Sequence, residues 1–311
     1  MITNETKPIL LIDGYHLLHK GYYGTLKRKK VSKNKDGIII NAIYSFVANI
    51  LKFINSDQYH SVIVAFDVDD NCWRKQIYPE YKAKRKPTPN DLIPQLQIAR
   101  DFLIASNITW YEKSNYEGDD IIGSICKIAN KLGYEVQILT NDKDIYQLVN
   151  QKTSIITNIS KKEKTKIIRE KEVYEHFLCK PNQVADIKAI LGDQSDNIKG
   201  IKYIKRKQAE ALINKYQNVE NILDHINELN EPLKTIISEN KQLIIDNKKI
   251  TKILTNVKLG RINFKPNKVT YYKLIRFLKE QEMYAFIRPI RKYLEKSNKK
   301  TVNETGTKLL D

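Results

Sequence analysis

Acidic residues follow three short apolar runs of this sequence. Runs of four or five apolar residues without alternation are typical of strands buried on both faces of a parallel sheet. Because the carboxyl ends of parallel strands lie at one edge of the sheet, we expect the residues that follow them to converge there. The runs span residues 9–12, 62–66 and 136–139, the last of which includes Gln137, and the acids that follow them are Asp13, Asp67 and Asp142.

More acids lie in segments that the same arrangement would bring to this edge. One group stands at the start of a predicted helix, one pair is separated by a single residue, and one pair lies three residues apart in a short loop. The predicted site contains nine acids: Asp13, Asp67, Glu117, Asp119, Asp120, Asp142, Asp144, Asp193 and Asp196. In one weakly polar site their mutual repulsion would be severe, and only bound cations could neutralise it.

Oxygen ligands without a neighbouring His or Cys select a hard cation, which indicates Mg²⁺, with Mn²⁺ as a substitute. Two such ions roughly 3.5–4 Å apart would hold the attacking and leaving oxygens of an in-line phosphoryl displacement. Metal-assisted hydrolysis of phosphodiesters is therefore the first interpretation. The alternative for any single aspartate is a helix N-cap, so the interpretation depends on several segments placing acids at one edge.

The chain is strongly basic outside this predicted site. It has 54 Lys and Arg against 36 Asp and Glu, a net charge of +18, and setting the nine site acids aside leaves 27 acids. A basic surface around an acidic site favours a polyanion such as nucleic acid. The alternative is a compositional bias toward lysine, since 44 of the basic residues are Lys.

The elements that would position these acids are those of an α/β domain over residues 1–171. Helical spacing covers residues 41–54 and 119–132, and residues 153–157 add a fourth predicted strand. In the second of these helices the apolar face is expected to include Ile128 and Leu132. Residues 71–104 form a basic insertion with several prolines after the second strand, and a helix is predicted to start near Asp91.

From about residue 172 the strand signals vanish. Helices are predicted over residues 181–191 and 206–216, on either side of a short loop, and a smaller helical part extends to about residue 295. Residues 296–311 have few apolar side chains, which predicts a disordered tail.

Several classes of protein are excluded by the composition. No segment has the pattern of a membrane span or a secretory signal, and we expect a cytoplasmic protein without a membrane partner. Cys72, Cys126 and Cys179 stand far apart, which argues against a zinc site or a disulfide framework and predicts reduced, buried thiols. A nucleotide-binding dehydrogenase is excluded because no GxGxxG motif follows the first strand.

Seven short motifs follow one another along the chain. They are Leu11 to Gly14, Asn41 to Tyr44, Ala65 to Asp67, Arg74 with Tyr81 to Arg85, Glu117 to Asp120, Thr140 to Asp144 and Gly192 to Asn197. In this order and spacing the chain from about Pro8 to Ile290 resembles the bacterial and phage 5′-nucleases of the flap-endonuclease superfamily. That superfamily includes the N-terminal nuclease domain of bacterial DNA polymerase I, and we expect a nuclease without a polymerase domain.

The resemblance implies a mostly parallel, twisted sheet covered by helices, the PIN-like 5′-nuclease fold. It also implies a helical arch and a C-terminal helix-hairpin-helix element that grips duplex DNA. The implied activity is that of a magnesium-dependent 5′-3′ exonuclease and flap endonuclease of replication and repair, using two ions. The implied partner is DNA with 5′ ends, flaps or primers, and we expect a monomer.

Roles for individual residues are also implied by the resemblance. The first ion would be surrounded by Asp13, Asp67, Glu117, Asp119 and Asp120. The second would be surrounded by Asp142, Asp144, Asp193 and Asp196. Lys82 and Arg85 would hold the scissile phosphate and, with Asp67 and Asp142, are the expected catalytic residues. Tyr81 would stack on a base, and Arg74 and Lys84 would also contact DNA.

The hairpin after Asn197 departs from the family pattern. The family has Ile-Pro-Gly-Val and then Gly-Ile-Gly before the basic helix, whereas residues 198–205 of this chain retain Gly200 alone. A Cβ at Tyr203 and Lys205 restricts the approach of the backbone to phosphate and to a bound K⁺ ion. We expect side-chain charge to replace that ion at the DNA-binding residues Lys199, Lys202, Lys205, Arg206 and Lys207.

Two other interpretations stay open. A ribonuclease of the PIN type uses a similar acid cluster, but such domains are shorter and lack the arch and the hairpin. A non-catalytic protein that binds branched DNA would have a decayed site, whereas every acid position that can be matched is occupied here.

The altered hairpin yields a test of the monovalent cation. At constant ionic strength, the affinity for duplex DNA should be the same in potassium and in a bulky organic cation, because lysine charge replaces the ion. Fluorescence anisotropy of a labelled duplex measures this affinity. A strong requirement for potassium would defeat the hypothesis.

Overall fold

A computed structural model describes residues 7–26, 32–68, 71–157 and 165–295; the predicted disordered tail lies outside them. The described residues belong to two compact units. The first unit draws on Met1–His16, Gln58–Pro87 and Trp110–Lys265. The second draws on Leu17–Asp57, Thr88–Thr109 and Pro266–Asp311. Each unit combines segments that are distant in sequence, and the predicted division near residue 171 stays a prediction.

Six strands form one sheet in the order β3-β2-β1-β4-β5-β6. They are β1 (Ile9–Asp13), β2 (Ser61–Ala65), β3 (Thr109–Tyr111), β4 (Val136–Leu139), β5 (Thr153–Thr157) and β6 (Lys166–Ile168). β1 is parallel to β2 and β4, β4 is parallel to β5, and β6 is antiparallel to β5. Because Asp13 pairs with Ala65 and Ile12 with Leu139, the chain leaves β1, β2 and β4 at the same edge.

The four predicted strands are confirmed, and their burial explains why they are rich in apolar residues in the sequence. Ile9, Leu10 and Ile12 are fully buried, as are Val64 and Ile138, because both faces of the sheet are covered. The edge strand β6 was not predicted. It is three residues long, and its first two residues are exposed, so it shows no apolar run.

Twelve α-helices complete the described fold. They are α1 (Gly14–Thr25), α2 (Asn41–Ile54), α3 (Trp73–Ile77), α4 (Ile93–Ser106), α5 (Gly118–Lys131), α6 (Glu170–Phe177), α7 (Val184–Leu191), α8 (Arg206–Tyr216), α9 (Val219–Asp224), α10 (Leu233–Glu239), α11 (Lys241–Thr251) and α12 (Tyr271–Glu280). The predicted helices over residues 41–54 and 206–216 match α2 and α8. The predicted helix over residues 181–191 begins with a 3-10 turn and continues as α7.

Helix α5 packs one apolar face against the sheet and begins at the edge where the chain leaves β1, β2 and β4. Ile121, Ile122 and Ile125 are fully buried in the core of the first unit. The prediction that Ile128 and Leu132 share this face is wrong, since they are 38% and 62% exposed. Ile128 lies at the margin of the buried face, and Leu132 lies beyond the last helical residue.

The hairpin of the first unit consists of β7 (Gly192–Asp193) and β8 (Ile198–Lys199), which are antiparallel. Gly192 has a φ of 73°, and a Cβ on Gly200 would overlap the carbonyl oxygen of Leu191. Both positions therefore require glycine. From α11, the Asn247 side-chain amide donates to the carbonyls of Ala189 (3.0 Å) and Lys199 (2.8 Å), which fixes the hairpin against the helices.

In the second unit, Gln95 of α4 caps helix α2 from outside. Its side-chain oxygen accepts hydrogen bonds from the amides of Ala42 (2.8 Å) and Ile43 (3.0 Å), two donors that a helix start leaves unpaired. Its amide donates to the side-chain oxygen of Asn41. Gln95 is fully buried, so this cap also orients α4 relative to α2.

The three cysteines are free and buried, as the sequence predicts. Helix α4 begins at Ile93, close to the predicted start, and has a proline in its first turn. Across the described part of the chain, no helix combines the length and the apolar character that a membrane crossing requires.

Candidate active site

Four of the predicted carboxylates belong to one group at the carboxyl edge of the sheet. Asp13 ends β1, Asp67 follows β2, Asp119 lies in the first turn of α5, and Asp142 follows β4. The amide of Gly118 donates to Asp67 Oδ1 at 2.9 Å, which attaches the start of α5 to the end of β2. These four residues are called the first acid group below.

A threonine after β4 joins two members of the first acid group. Thr140 Oγ1 donates to Asp13 Oδ2 at 3.2 Å and accepts from the amide of Asp142 at 3.1 Å. The other oxygen of Asp13 accepts from the amide of His16 at 2.9 Å. Backbone and hydroxyl donors thus orient these carboxylates, but they supply no positive charge.

Burial and repulsion between carboxylates shift the pKa values of Asp13, Asp67 and Asp119 in the first acid group. Burial, followed by the charge of Asp67, raises the pKa of Asp13 to about 7, and the charge of Asp142 adds to the effect. Burial, followed by the charges of Asp142 and Asp13, raises the pKa of Asp119 well above its usual range. Burial also raises the pKa of Asp67. Burial and like charges thus favour the protonated forms of Asp13, Asp67 and Asp119, and a bound cation would act in the opposite direction.

A second acid group consists of Asp144, Asp193 and Asp196. One carboxylate oxygen from each lies within 4.8 Å of the other two, which is close enough to hold a metal ion together. The amide of Asp144 donates to Asp142 Oδ1 at 2.9 Å and so links the second group to the first. Asp144 and Asp193 line a cavity of about 660 Å³.

Basic side chains already contact the second acid group. Arg85 forms an ion pair with Asp196 at 2.6 Å, and the Lys188 ammonium pairs with Asp193 at 2.6 Å and with Asp144. Burial raises the pKa of Asp144 to about 6, although Lys188 acts in the opposite direction. Burial also disfavours the charge of Asp193, but Lys188 and Ser195 hold the pKa of that carboxyl below its usual value.

The basic segment around Lys82 lies against the loop that carries Asp196. The Lys82 amide donates to the carbonyl of Asp196 at 2.9 Å, and the side-chain amide of Asn197 donates to the carbonyl of Glu80 at 2.8 Å. Lys82 has a φ of 56°, a conformation that is strained for a lysine and is found at functional sites. In the predicted arch, α3 is one short helix and residues 79–85 form turns.

The prediction that Arg74 contacts DNA is wrong, because its side chain is only 3% exposed and binds internal partners. Its two terminal nitrogens donate to the two oxygens of Asp120 at 2.7 and 2.8 Å. Asp120 also accepts from Trp73 Nε1 at 3.0 Å and from the amide of Leu254 at 2.9 Å. Asp120 is fully buried and both of its oxygens accept hydrogen bonds from protein donors, so in the structure it anchors Arg74; metal binding by Asp120 stays a prediction.

The prediction that Tyr81 stacks on a base is also wrong. Tyr81 is 3% exposed and packs with Cys72, Ile198 and Ile250. Its hydroxyl donates to Glu117 Oε2 at 3.0 Å. The sequence could not distinguish a buried tyrosine from an exposed one within a basic run, because neighbouring turn residues point in different directions.

Glu117, a predicted metal ligand, directs both oxygens at protein donors. Oε2 accepts from Arg74 at 2.8 Å and from Tyr81, and Oε1 pairs with Lys82. Although burial disfavours its charge, Lys82 and Arg74 lower the pKa of Glu117. Contact between Glu117 and a metal stays a prediction, and in the structure this carboxylate holds Lys82 beside the first acid group.

The other predicted DNA-binding residues lie on the surface. They are Lys84, Lys199, Lys202, Lys205, Arg206 and Lys207. Tyr203, in the altered hairpin, has a φ of 68° and is 83% exposed. The backbone at Tyr203 thus has a left-handed conformation, which glycine adopts more easily than tyrosine.

Two residues near the acid groups were missed from the sequence. One is Lys188, which pairs with two predicted ligands, and the other is Thr140, which orients Asp13. Lys188 left a readable signal, since a lysine within the apolar stretch of residues 184–191 needs an acidic partner when it is buried. Thr140 left none beyond its position after β4.

Comparison with known proteins assigns the chain to a family. Residues 8–178 match the sequence model of the 5′-3′ exonuclease N-terminal resolvase-like domain, and residues 179–273 match that of the 5′-3′ exonuclease C-terminal SAM fold. The chain belongs to the 5′-3′ exonuclease family. Its predicted fold class, an α/β core with a mostly parallel sheet and a helical C-terminal part, is confirmed.

Relatives of this 5′-3′ exonuclease family member include longer polymerases. The chain is 32% identical to DNA polymerase I of Bacillus subtilis over 253 residues, which are 81% of this chain and 28% of the relative. It is 34% identical to DNA polymerase I of Caldicellulosiruptor bescii over 274 residues, which are 86% of this chain and 32% of the relative. The chain thus spans about a third or less of the length of these relatives.

Solved structures share the fold of this exonuclease family member. The T5 D15 protein, crystallised with metal ions, superposes with a TM-score of 0.66 at 22% identity, covering 79% of this chain and 90% of that one. Flap endonuclease-1 from Methanococcus jannaschii superposes with a TM-score of 0.59 at 17% identity, covering 88% of this chain and 86% of that one. At these identities the similarity demonstrates the shared fold.

Two adjacent aspartates should respond in opposite ways to loss of charge. Asp120→Asn leaves the buried Arg74 without its partner and should lower the free energy of unfolding by about 3–5 kcal/mol. Asp119→Asn removes a repelling charge and should leave the metal-free protein at least as stable. Denaturant unfolding in EDTA measures both. An Asp120→Asn protein as stable as the wild type would contradict the anchoring role.

The raised pKa values predict how the stability of the metal-free protein depends on pH. With the pKa of Asp13 at about 7, the folded state binds more protons than the unfolded state above the ordinary carboxyl range. The contribution of Asp13 to stability is therefore largest below the ordinary carboxyl range, declines as pH rises toward about 7 and is constant above that. In EDTA, the Tm should fall by about 2 °C or more between about pH 5 and about pH 8.

Asp13→Asn is the control for this pH dependence, because an amide does not titrate. The decline in Tm should be smaller in this variant than in the wild type. An unchanged slope would show that other groups cause the decline.

Proposed function

We propose that this protein is a magnesium-dependent 5′-3′ exonuclease and flap endonuclease that hydrolyses DNA phosphodiesters. The observation that carries the proposal is the convergence of two acid groups, from five segments of the chain, beside the basic side chains of Lys82 and Arg85. Family membership supports hydrolysis of a nucleic acid. Action on primers and flaps in replication and repair is part of the proposal.

The donors of the two acid groups fit magnesium. All are carboxylates, which hard divalent cations prefer. Burial and the neighbouring charge of Asp67 raise the pKa of Asp13, so a bound cation would stabilise its carboxylate form. Asp13, Asp67 and Asp119 would hold one ion. Asp142 would join the second acid group in holding the other. When bound, two divalent ions lower the pKa of a water molecule and stabilise the charge on the leaving oxygen.

The basic residues at this edge would bind the scissile phosphate. Lys82 is 20% exposed and pairs with Glu117, while Arg85 is 48% exposed and pairs with Asp196. Although burial opposes its charge, Glu117 and Asp196 raise the pKa of Lys82, so this side chain stays cationic at neutral pH. Glu117 and Asp196 thus hold Lys82 and Arg85 at the edge of the site. A bound phosphate would take the place of these carboxylates and form charge-assisted hydrogen bonds with the two basic side chains.

A second basic surface would bind the duplex away from the cut. Lys202 and Lys205 are exposed in the altered hairpin, and Lys207 is exposed in the first turn of α8. The backbone amides at the start of this 11-residue helix can also approach a phosphate. Contacts of this kind depend on charge rather than on base sequence, as suits an enzyme that recognises the shape of DNA.

The proposal predicts separate effects on cleavage and on binding. Asp67→Asn or Asp142→Asn should reduce cleavage of a labelled 5′-flap duplex by at least about 10²-fold, because each removes a charged metal ligand. Binding should stay the same or become tighter, since less negative charge faces the phosphate. Sizing of the products with and without magnesium measures cleavage, and anisotropy in calcium measures binding.

Asp224→Asn is a matched control, since Asp224 is exposed and lies outside both acid groups. It should cleave like the wild type. Wild-type turnover by Asp67→Asn or Asp142→Asn would refute the catalytic assignment. A wild-type protein that binds the flap without cutting it would favour the non-catalytic DNA-binding interpretation.

A further inference from the structure

Lys188 is a buried cation between two residues of the second acid group. It lies in α7, with Ile187 before it and Ala189 after it, and its side chain is 11% exposed. Its ammonium pairs with Asp193 Oδ2 at 2.6 Å and with Asp144 Oδ1. Asp144 and Asp193 are themselves 21% and 11% exposed, so solvent screens this contact weakly.

The same two carboxylates are candidate ligands for a divalent ion. Together with Asp196 they place one oxygen each within 4.8 Å of one another. An ammonium group has three donors and no acceptor, so it uses carboxylate oxygens in the same way as a metal ion and cannot itself become a ligand while charged. Lys188 and a divalent ion therefore compete for the oxygens of Asp144 and Asp193.

The first acid group differs in this respect. Asp13 accepts hydrogen bonds from an amide and a hydroxyl, and Asp67 accepts one from the Gly118 amide. The nearby ammonium of Lys82 pairs with Glu117, which is outside the first acid group. In the second group, by contrast, Lys188 forms ion pairs with Asp144 and Asp193, and Arg85 forms an ion pair with Asp196. A divalent ion that enters the second group must therefore displace a positively charged side chain from the oxygens it binds.

The surroundings allow that displacement. Lys188 lines the cavity of about 660 Å³ that also contains Asp142, Asp144 and Asp193. A lysine side chain has four flexible methylene groups, so its ammonium can move into this space while the helix stays in place.

We propose that Lys188 is an internal counter-ion of the second acid group, which positions Asp144 and Asp193 before metal binds and weakens the affinity of this group for a divalent ion. The inference rests on the proposed function, since it assumes that this group takes up a divalent ion. It assigns to one side chain the difference in affinity between two neighbouring metal sites. Lys188 is thus a positioning residue, which acts through the two carboxylates.

Binding of Mn²⁺ to the chain of 311 residues tests the inference without any measurement of cleavage. Free Mn²⁺ is followed by electron paramagnetic resonance during titration of the wild type and of Lys188→Met, Lys188→Gln and Lys188→Arg. The wild type should bind one ion tightly and a second more weakly. In Lys188→Met and Lys188→Gln the second ion should bind at least about 10-fold more tightly, because the competing charge is absent. Lys188→Arg should resemble the wild type.

Thermal unfolding supplies a second readout. Without metal, Lys188→Met should melt at a lower temperature than the wild type, because two acids lose their counter-ion. Saturating Mn²⁺ should raise the Tm of this variant by more than it raises that of the wild type. A residue with a merely structural role would lower the Tm equally with and without the ion.

The outcomes separate the inference from the proposed function. If the wild type and the charge-removing variants bind a second ion with equal affinity, the inference is overturned and the proposed function stands. If none of the proteins binds a second ion, both the two-ion proposal and the inference fail. If neither Lys188→Met nor Lys188→Gln folds even in Mn²⁺, the inference is overturned too, since it requires a divalent ion to replace the ammonium.

Discussion

Repulsion between carboxylates that share a partly buried edge of the sheet is the constraint on which this site depends. The chain leaves β1, β2 and β4 at the same edge, and α5 begins there. The topology therefore brings acidic residues close together even though their negative charges repel one another. Burial raises the cost of each negative charge, and each neighbour raises it further. An arrangement of this kind persists only with protons, basic side chains or bound cations among the oxygens.

Basic side chains of the first unit pair with its acids in two different roles. Arg74 with Asp120, and Lys248 with Asp186, form buried pairs that fasten segments distant in sequence. Removing one partner of such a pair leaves an uncompensated buried charge, so these contacts are structural. Lys82, Arg85 and Lys188 instead contact acids that line the candidate site. In the proposed function, these pairs open when a phosphate or a divalent ion supplies a better partner.

Backbone conformation contributes at two positions where glycine is absent. Lys82 and Tyr203 both have positive φ values, which side chains with a Cβ adopt at a cost. At Lys82 the strained turn lets the amide reach the carbonyl of Asp196 while the ammonium pairs with Glu117. At Tyr203 it keeps the shape of the hairpin and leaves an aromatic ring on the basic surface.

Local patterns in the sequence determined much of this protein. Strands buried on both faces are rich in apolar and β-branched residues, and helices show a repeating apolar face. For this reason β1, β2, β4, β5, α2 and α8 were predictable, along with the edge at which the acids meet. Only the tertiary structure decided which acids and bases face the site. Asp119 and Asp120 are neighbours in the chain, yet one joins the first acid group and the other is buried under Arg74. The same holds for Tyr81 and Lys82, and for Lys188, whose partners come from the residues after β4 and from the hairpin. Sequence spacing limits where a side chain can lie, but its burial and its partner depend on the packing of segments that are remote along the chain.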